Sequence, residues 1–407
     1  MKRVVVTGMG CISALGCDWE SVQQRLKQAE NAICYMPGWE QYEGLFTRLA
    51  GPVQGFEKPA HYSRKATRTM GRVALMSVRA SELALEQAGL LGDPVLAGGR
   101  VGVAYGSSTG STAATADFSN MLLNGSTQGL NATSYIRMMS HTTAVNIAVF
   151  FGVKGRVYTT SSACTSSSQG IGYGFEAIRQ GSQTIMVCGG AEELCPTEAA
   201  VFDTLFATST RNETPQLTPR PFDKDRDGLV IGEGACTLIL EELEHARARG
   251  ATIFAEVIGY GTNCDGVHVT QPCVESITRV LQLALDDAGL DATDVGYVSA
   301  HGTATERGDI AESQALLNIL GDKVPLSALK SYTGHTLGAC GSTEAWATIN
   351  MMRDRWFHPT LNLDSVDSDC ADLDYITGAG RSLDVEIAMS NNFAFGGINT
   401  SLLFRRV

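Results

Sequence analysis

The stretch Ser81-Glu-Leu-Ala-Leu-Glu-Gln-Ala-Gly-Leu90 returns 200 positions later as Leu281-Gln-Leu-Ala-Leu-Asp-Asp-Ala-Gly-Leu290. Each copy has the apolar spacing of an amphipathic helix and a glycine where such a helix stops. Each is followed within a dozen residues by a strand beginning Val-Gly, at Val101 and at Val295. The repeated helix–loop–strand order predicts a duplicated α/β unit, with halves meeting near residue 255. Residues 1–255 form the first expected half and 256–407 the second. A site at their junction would draw side chains from both.

Working outward, short apolar strands alternate with amphipathic helices along the chain, as in α/β proteins with buried sheets. Predicted strands include Val101–Tyr105, Thr184–Cys188, Thr237–Leu240, Val295–Ala300 and Ile387–Ser390. A helix is predicted from about Val73 to Gln87, stopping at Gly89. Arg3 to Val6 reads as a buried first strand, with Thr7-Gly-Met-Gly10 as the turn after it. That reading displaces a signal peptide, because Gly8, Gly10 and Gly16 break the apolar run. No stretch has the ~18 uncharged apolar residues of a membrane helix, and no Pro- or Ser-rich linker divides the chain.

The 407 residues are 44% hydrophobic and 18% charged, which excludes disordered and fibrous classes. Acidic residues outnumber basic ones by 43 to 31, a formal charge of −12. Such a field repels nucleic acid and anionic membrane, so neither is an expected partner. The eleven cysteines are odd in number and form no CxxC pair. They read as reduced thiols of a cytoplasmic protein.

Chemistry concentrates in three segments. Tyr158-Thr-Thr-Ser-Ser-Ala-Cys164-Thr-Ser-Ser-Ser-Gln-Gly170 ends a β-prone run in small hydroxyl residues and opens a helix continuing through Ile171, Phe175 and Ile178. Cys164 would sit at the helix N-terminus, where free backbone N–H groups favour thiolate. A buried structural thiol is the competing reading, and it suits the other ten cysteines. His301 stands in Val298-Ser-Ala-His-Gly-Thr-Ala-Thr305 and His335 in Lys330-Ser-Tyr-Thr-Gly-His-Thr-Leu-Gly-Ala-Cys-Gly341. Flanking glycines allow close backbone approach and leave an imidazole facing a cavity. His61, His245 and His358 carry no such signal.

Together these segments resemble the β-ketoacyl-acyl-carrier-protein synthases, most closely the elongating type with a Cys-His-His triad. The resemblance runs from KRVVVTGMG at the N-terminus through PRPFDKDRDGLVIGEGA (219–235), HGTAT, KSYTGHTLGACGSTE (330–344) and SNNFAFGGINTSLLF (390–404). It implies a thiolase-like fold of two duplicated halves in five α/β/α/β/α layers. It also implies a homodimer, or a heterodimer with a related subunit. The implied reaction is a decarboxylative Claisen condensation in fatty-acid or polyketide-type chain elongation. Cys164 would carry the acyl group, with backbone N–H groups of Cys164 and Phe395 as oxyanion donors. Neutral His301 and His335 would bind the enolate, with Lys330 as the supporting cation paired to Glu344. Asp309 and Glu312 would fix loops.

The resemblance also places substrate contacts. Thr109, in Gly106-Ser-Ser-Thr-Gly-Ser111, matches the far end of the acyl pocket, where a bulky apolar residue is usual. Tyr135, Met138 and Met139 fall in a stretch that reaches toward the neighbouring subunit's pocket. His268, Thr270, Thr303, Thr305 and Phe393 match the channel of the carrier arm. The smaller, polar Thr109 points to something other than a saturated chain, with an unsaturated or aryl-ended polyene as one candidate. The gating loop reads Ala394-Phe395-Gly396-Gly397 where GFGG is common, and Ile398 replaces a common threonine. Alanine in place of glycine predicts a stiffer gate.

The acyl carrier protein is the expected partner and is itself acidic, so docking needs a local basic patch. Residues 58–81 hold Lys58, Arg64, Lys65, Arg68, Arg72 and Arg79 and no acid. Arg64, Lys65, Arg68 and Arg72 are the candidates, since a patch acts locally within a Debye length of ~8 Å. Thiolases use a second cysteine in the C-terminal loop, and no cysteine follows Cys370. Initiating ketosynthases replace one histidine with asparagine, and both are present here. Chain-length-factor subunits, which shape a tunnel without a nucleophile, are the alternative of another class, and Cys164 with both histidines argues against it. No cofactor or metal is expected, as GxGxxG, P-loop and metal-ligand spacings are all missing.

Overall fold

In the computed structural model, which describes residues 1–407, ten strands form two five-stranded halves of one sheet. The first half contains β1 (Val4–Ser13), β2 (Val101–Gly106), β3 (Val157–Thr160), β4 (Ile185–Glu192) and β5 (Gly234–Glu242). The second contains β6 (Ala255–Cys264), β7 (Tyr297–Ser299), β8 (Leu326–Ser327), β9 (Ile387–Ala394) and β10 (Ile398–Arg405). Their orders are β3-β2-β4-β5-β1 and β8-β7-β9-β10-β6, so each strand of one half has its counterpart in the other. Antiparallel pairing from Val4↔Val257 to Val6↔Ala255 joins them.

Helices complete the layers. α1 (Arg72–Gln87) and α2 (Thr142–Phe151) cover the outer face of the first half. α3 (Ser166–Arg179) packs on strands of both halves. α4 (Pro196–Asp203) follows β4. α5 (Val274–Ala288) and α6 (Glu306–Leu320) cover the second half, and α7 (Cys340–Asp354) joins α3 in the middle layer. The result is the α/β/α/β/α order expected from the resemblance.

The repeated sequence has a physical reading at each helix end. Gly89 and Gly289 both take left-handed φ, +68° and +65°. The following leucine then turns its N–H back, Leu90 to Leu85 O at 2.8 Å and Leu290 to Leu285 O at 3.1 Å. This is a helix stop that only glycine takes without strain. Each helix also lies unusually close to its half's first strand. A Cβ on Gly8 would come within 2.2 Å of Ala84 O, and one on Gly261 within 2.4 Å of Val280 O. Those glycines therefore sit inside strands, and the first strand runs on to Ser13 where a turn at Thr7–Gly10 was expected. Glycine broke the apolar pattern because a helix, not solvent, lies against it. No helix is long and apolar enough to cross a membrane.

Candidate active site

β3 delivers the chain to the seam between the halves. Ser161 and Ser162 follow it, and Ala163 adopts φ +49°, a left-handed conformation costly for alanine. Cys164 lies in the short 3-10 turn Ala163–Thr165, immediately before α3, and is 5% exposed. The turn is locked against the start of α7. Cys340 Sγ donates to Cys164 O at 3.1 Å, and Ser342 N to Ser167 Oγ at 3.0 Å. Ala163-Cys164 before α3 thus faces Ala339-Cys340 before α7, a correspondence readable as a repeated Ala-Cys but overlooked in the sequence.

Two imidazoles meet the sulfur. His335 Nε2 is 2.9 Å from Cys164 Sγ, and His335 Nδ1 accepts the Leu337 N–H at 3.3 Å. His301 Nδ1 faces Lys330 Nζ at 3.1 Å, with Asn392 Nδ2 at 3.4 Å. Both Nδ1 atoms are occupied as acceptors, so each neutral ring carries its proton on Nε2. The rings stand perpendicular, with centroids 5.3 Å apart. Ligand atoms of Cys164, His301 and His335 all lie within 4.8 Å of one another. Such closeness could also grip a zinc-like ion, but the Lys330 cation beside it opposes one.

Burial sets the protonation states. It pushes the Cys164 thiol up to about 12, against the downward pull of the Lys330 charge. Helix-terminus potential alone therefore leaves the resting sulfur protonated. Burial, reinforced by Lys330, holds both imidazoles well below their ordinary value, so both are neutral near pH 7. Lys330 is 2% exposed and ion-paired to Glu344, whose other oxygen accepts Asn392 Nδ2 at 2.7 Å. Burial opposes the lysine's charge, yet Glu344 more than offsets this and raises its pKa.

Glu312 receives the backbone N–H groups of His301 and Gly302, both at 2.7 Å. Asp309 receives those of Phe222 at 2.7 Å and Ala304 at 3.1 Å. Burial pushes Glu312 to about 8 and Asp309 to about 6, against these donors. Both carboxyls hold the His301 loop by its backbone.

A cavity of about 650 Å³ leads in from the surface to Cys164, His301 and His335. Thr270, Thr303, Thr305, Phe393 and Phe395 line it too. The Phe395 ring leans on Phe202 of α4 at 5.1 Å. His268 is outside this lining, on an exposed loop, where its Nδ1 accepts the Thr270 N–H at 3.1 Å and closes its own turn. Thr109, Tyr135, Met138 and Met139 are also outside it. Tyr135 is exposed, and the Met138 and Met139 carbonyls crowd Gly110 beside Thr109.

Two expectations need correction. Arg72 is not a free docking cation, because its guanidinium binds Glu233, Val53 O and Phe56 O. Ala394 ends β9 without a positive φ, and the left-handed turn falls on Gly396 at +88° and Gly397 at +72°. The reason given for a stiffer gate does not apply. Sequence reading also missed Asn392 and Cys340, which act only through contacts distant in the chain, and the Leu337 N–H, whose local turn onto His335 shows only in the folded loop.

The descriptions "Beta-ketoacyl synthase, N-terminal domain" and "C-terminal domain" match residues 1–246 and 254–364. The 3-oxoacyl-[acyl-carrier-protein] synthase 2 of Synechocystis sp. is 37% identical over 411 residues, covering 100% of this chain and 98% of the relative. A crystal structure of a β-ketoacyl synthase from Burkholderia phymatum is 59% identical over 100% of both chains, with a TM-score of 0.99. The ishigamide ketosynthase/chain length factor is 33% identical with a TM-score of 0.91, over 100% of this chain and 99% of that one. On these matches the chain belongs to the β-ketoacyl synthase family, ketosynthases of the thiolase superfamily that act as acyltransferases.

Proposed function

We propose that this ketosynthase extends an acyl group held on Cys164 by condensing it with malonyl carried on an acyl carrier protein. The observation that carries the reading is a buried thiol flanked by two neutral imidazoles, each with Nδ1 occupied as an acceptor and its proton on Nε2, that of His335 directed at the Cys164 sulfur 2.9 Å away. In the first stage Cys164 Sγ attacks the acyl thioester, the carrier's C–S bond breaks, and the Cys164 proton leaves with the carrier thiol. Backbone N–H groups of Cys164 and Phe395 are the proposed oxyanion donors. In the second, malonyl loses CO2 and its bonding pair becomes an enolate. Nε2–H of His301 and His335 would bind the enolate oxygen, and its carbon attacks the acyl-cysteine, releasing sulfur.

Lys330, held by Glu344, keeps the His301 proton on Nε2 in this scheme, while Asp309 and Glu312 position the loop. Thr270, Thr303, Thr305 and Phe393 would guide the carrier arm, and Arg64, Lys65 and Arg68 would dock its protein. A division into halves 1–255 and 256–407 suits a site that takes its nucleophile from one and its histidines from the other. A dimer is supported by the free edge of β3 and exposed apolar residues Val149, Val157 and Tyr135, which water alone would cover poorly. The partner would be a second copy or a related subunit, in the cytoplasm. An inert chain length factor has no use for this thiol and its paired imidazoles.

Reconstitution tests the reading. Incubation with acyl and malonyl carrier proteins should give CO2 and a 3-oxoacyl carrier longer by one condensation. No product across a range of acyl groups would overturn it.

A further inference from the structure

The proposed reaction makes a demand on space. The cavity must admit a carrier arm twice, so the acyl group held on Cys164 has to lie out of its way. Cys164, Phe202 and Phe395 are together in the lining of that cavity. Beyond the sulfur, Cys164 packs with Ala199 and Phe202 of α4 and with Leu337. An acyl chain that left the carrier's path would have to turn to that side, past the Phe395 ring.

One position before Ala199 in α4, a third of a helical turn around from it, is Glu198, 4% exposed. Its Oε1 accepts Thr109 Oγ1 at 3.0 Å, and its Oε2 is buried with no partner at all. Neighbouring Glu192 is the opposite case, fully engaged by the Ser107 hydroxyl and the Ser108, Thr109 and Gly338 N–H groups. Gly338 follows closely on His335, which ties this carboxyl pair to the reacting centre. Two further buried hydroxyls without partners, Thr160 and Ser162, lie on the strand end that leads into Cys164. Buried polar atoms in folded proteins are almost always paired. Glu192 meets that rule as a structural residue does, and Glu198 does not.

We propose that Glu198, backed by Thr109 and Glu192, is the polar end-wall of the acyl pocket and selects acyl groups that carry a hydroxyl at their distal end. This rests on the ketosynthase reading above and adds the substrate class. Burial and the adjacent Glu192 keep the Glu198 carboxyl protonated, so its free oxygen side can both give and take a hydrogen bond. A methyl terminus would leave that group unpaired, whereas a hydroxyl would complete it. Sites built to bond a substrate hydroxyl reject the analogue lacking it by far more than a methylene's worth of contact.

The test is acylation of the full-length protein by acyl carriers of graded chain length, each in a methyl-ended and a hydroxyl-ended form. Rates from intact mass are normalised to acetyl loading by the same protein, for wild type, Glu198→Leu and Glu198→Gln. For at least one length, wild type should load the hydroxyl-ended chain about tenfold faster or more. Glu198→Leu should reverse that order and Glu198→Gln should largely keep it. Acetyl loading without hydroxyl preference at any length overturns the end-wall alone. Failure of acetyl loading in wild type overturns the ketosynthase reading and this inference with it. If the leucine variant does not fold, the wild-type ratio and the glutamine variant still decide.

Discussion

His335 Nε2 approaches Cys164 Sγ at 2.9 Å while His335 Nδ1 is engaged by the Leu337 N–H, so the imidazole meets the sulfur as a donor rather than as a base. The same orientation serves the enolate once the sulfur is acylated. Because burial holds both histidine pKa values well below 6.5, protonation requires acid. The histidines themselves should therefore leave malonyl decarboxylation flat through pH 6.5 and lower it only in more acid solution, and a change nearer pH 8 would belong to Glu312 under the His301 loop. Imidazole NMR resonances of His301 or His335 titrating near pH 6.5 would show that an imidazolium is involved, a readout that Asp309 at about 6 does not share.

Lys330 and Glu344 stand or fall as a pair. Lys330→Met leaves a buried carboxylate beside Asn392 with no cation, which should cost about 3–5 kcal/mol. It also frees the His301 tautomer. Adding Glu344→Gln should recover most of the melting temperature and little of the condensation rate. Thermal unfolding of both variants, read beside decarboxylation, separates the two roles. Recovery of activity together with stability would leave Lys330 only a structural part.

The gating turn should answer to its glycines rather than to Ala394. Gly396 has φ +88° with open space around its missing Cβ, so Gly396→Ala meets backbone strain alone, about 1–2 kcal/mol. Gly397→Ala would also press Asp265 and should be worse. Ala394→Gly should leave acyl loading within a few-fold of wild type, measured by intact mass over time. A large gain in Ala394→Gly would restore the stiff-gate idea.

Arg64 and Lys65 lie on the exposed helix Arg64–Thr67, and Arg68 caps it with its carbonyl taking the Arg137 guanidinium at 2.5 Å. Lys65→Glu with Arg68→Glu should raise KM for the acyl carrier protein and leave loading from a small soluble thioester intact. Equal loss on both substrates would refute docking at this patch.

The fold was legible in the sequence because the duplicated helix ends with the same Ala-Gly-Leu in both halves, a signal local enough to read. The nucleophile and the histidines were legible for the same reason, each standing in a small-residue loop beside a strand. What escaped depended on partners far along the chain. Arg72 looked free because Glu233, 161 residues away, gives no local sign. Likewise the His301 tautomer is set by Lys330 from another loop, while that of His335 is set by the Leu337 N–H of its own loop, a turn that only the fold shows. Thr109 read as an unusual polar residue, but Glu198 beneath it was seen only once α4 was in place.

Peptide mapping of the acylated protein tests the central claim most directly. After incubation with an acyl carrier substrate, the account predicts one acyl increment per chain, on the peptide containing Cys164, and none in Cys164→Ala. An acyl group on any of the other ten cysteines, or an undiminished increment in the alanine variant, would contradict it.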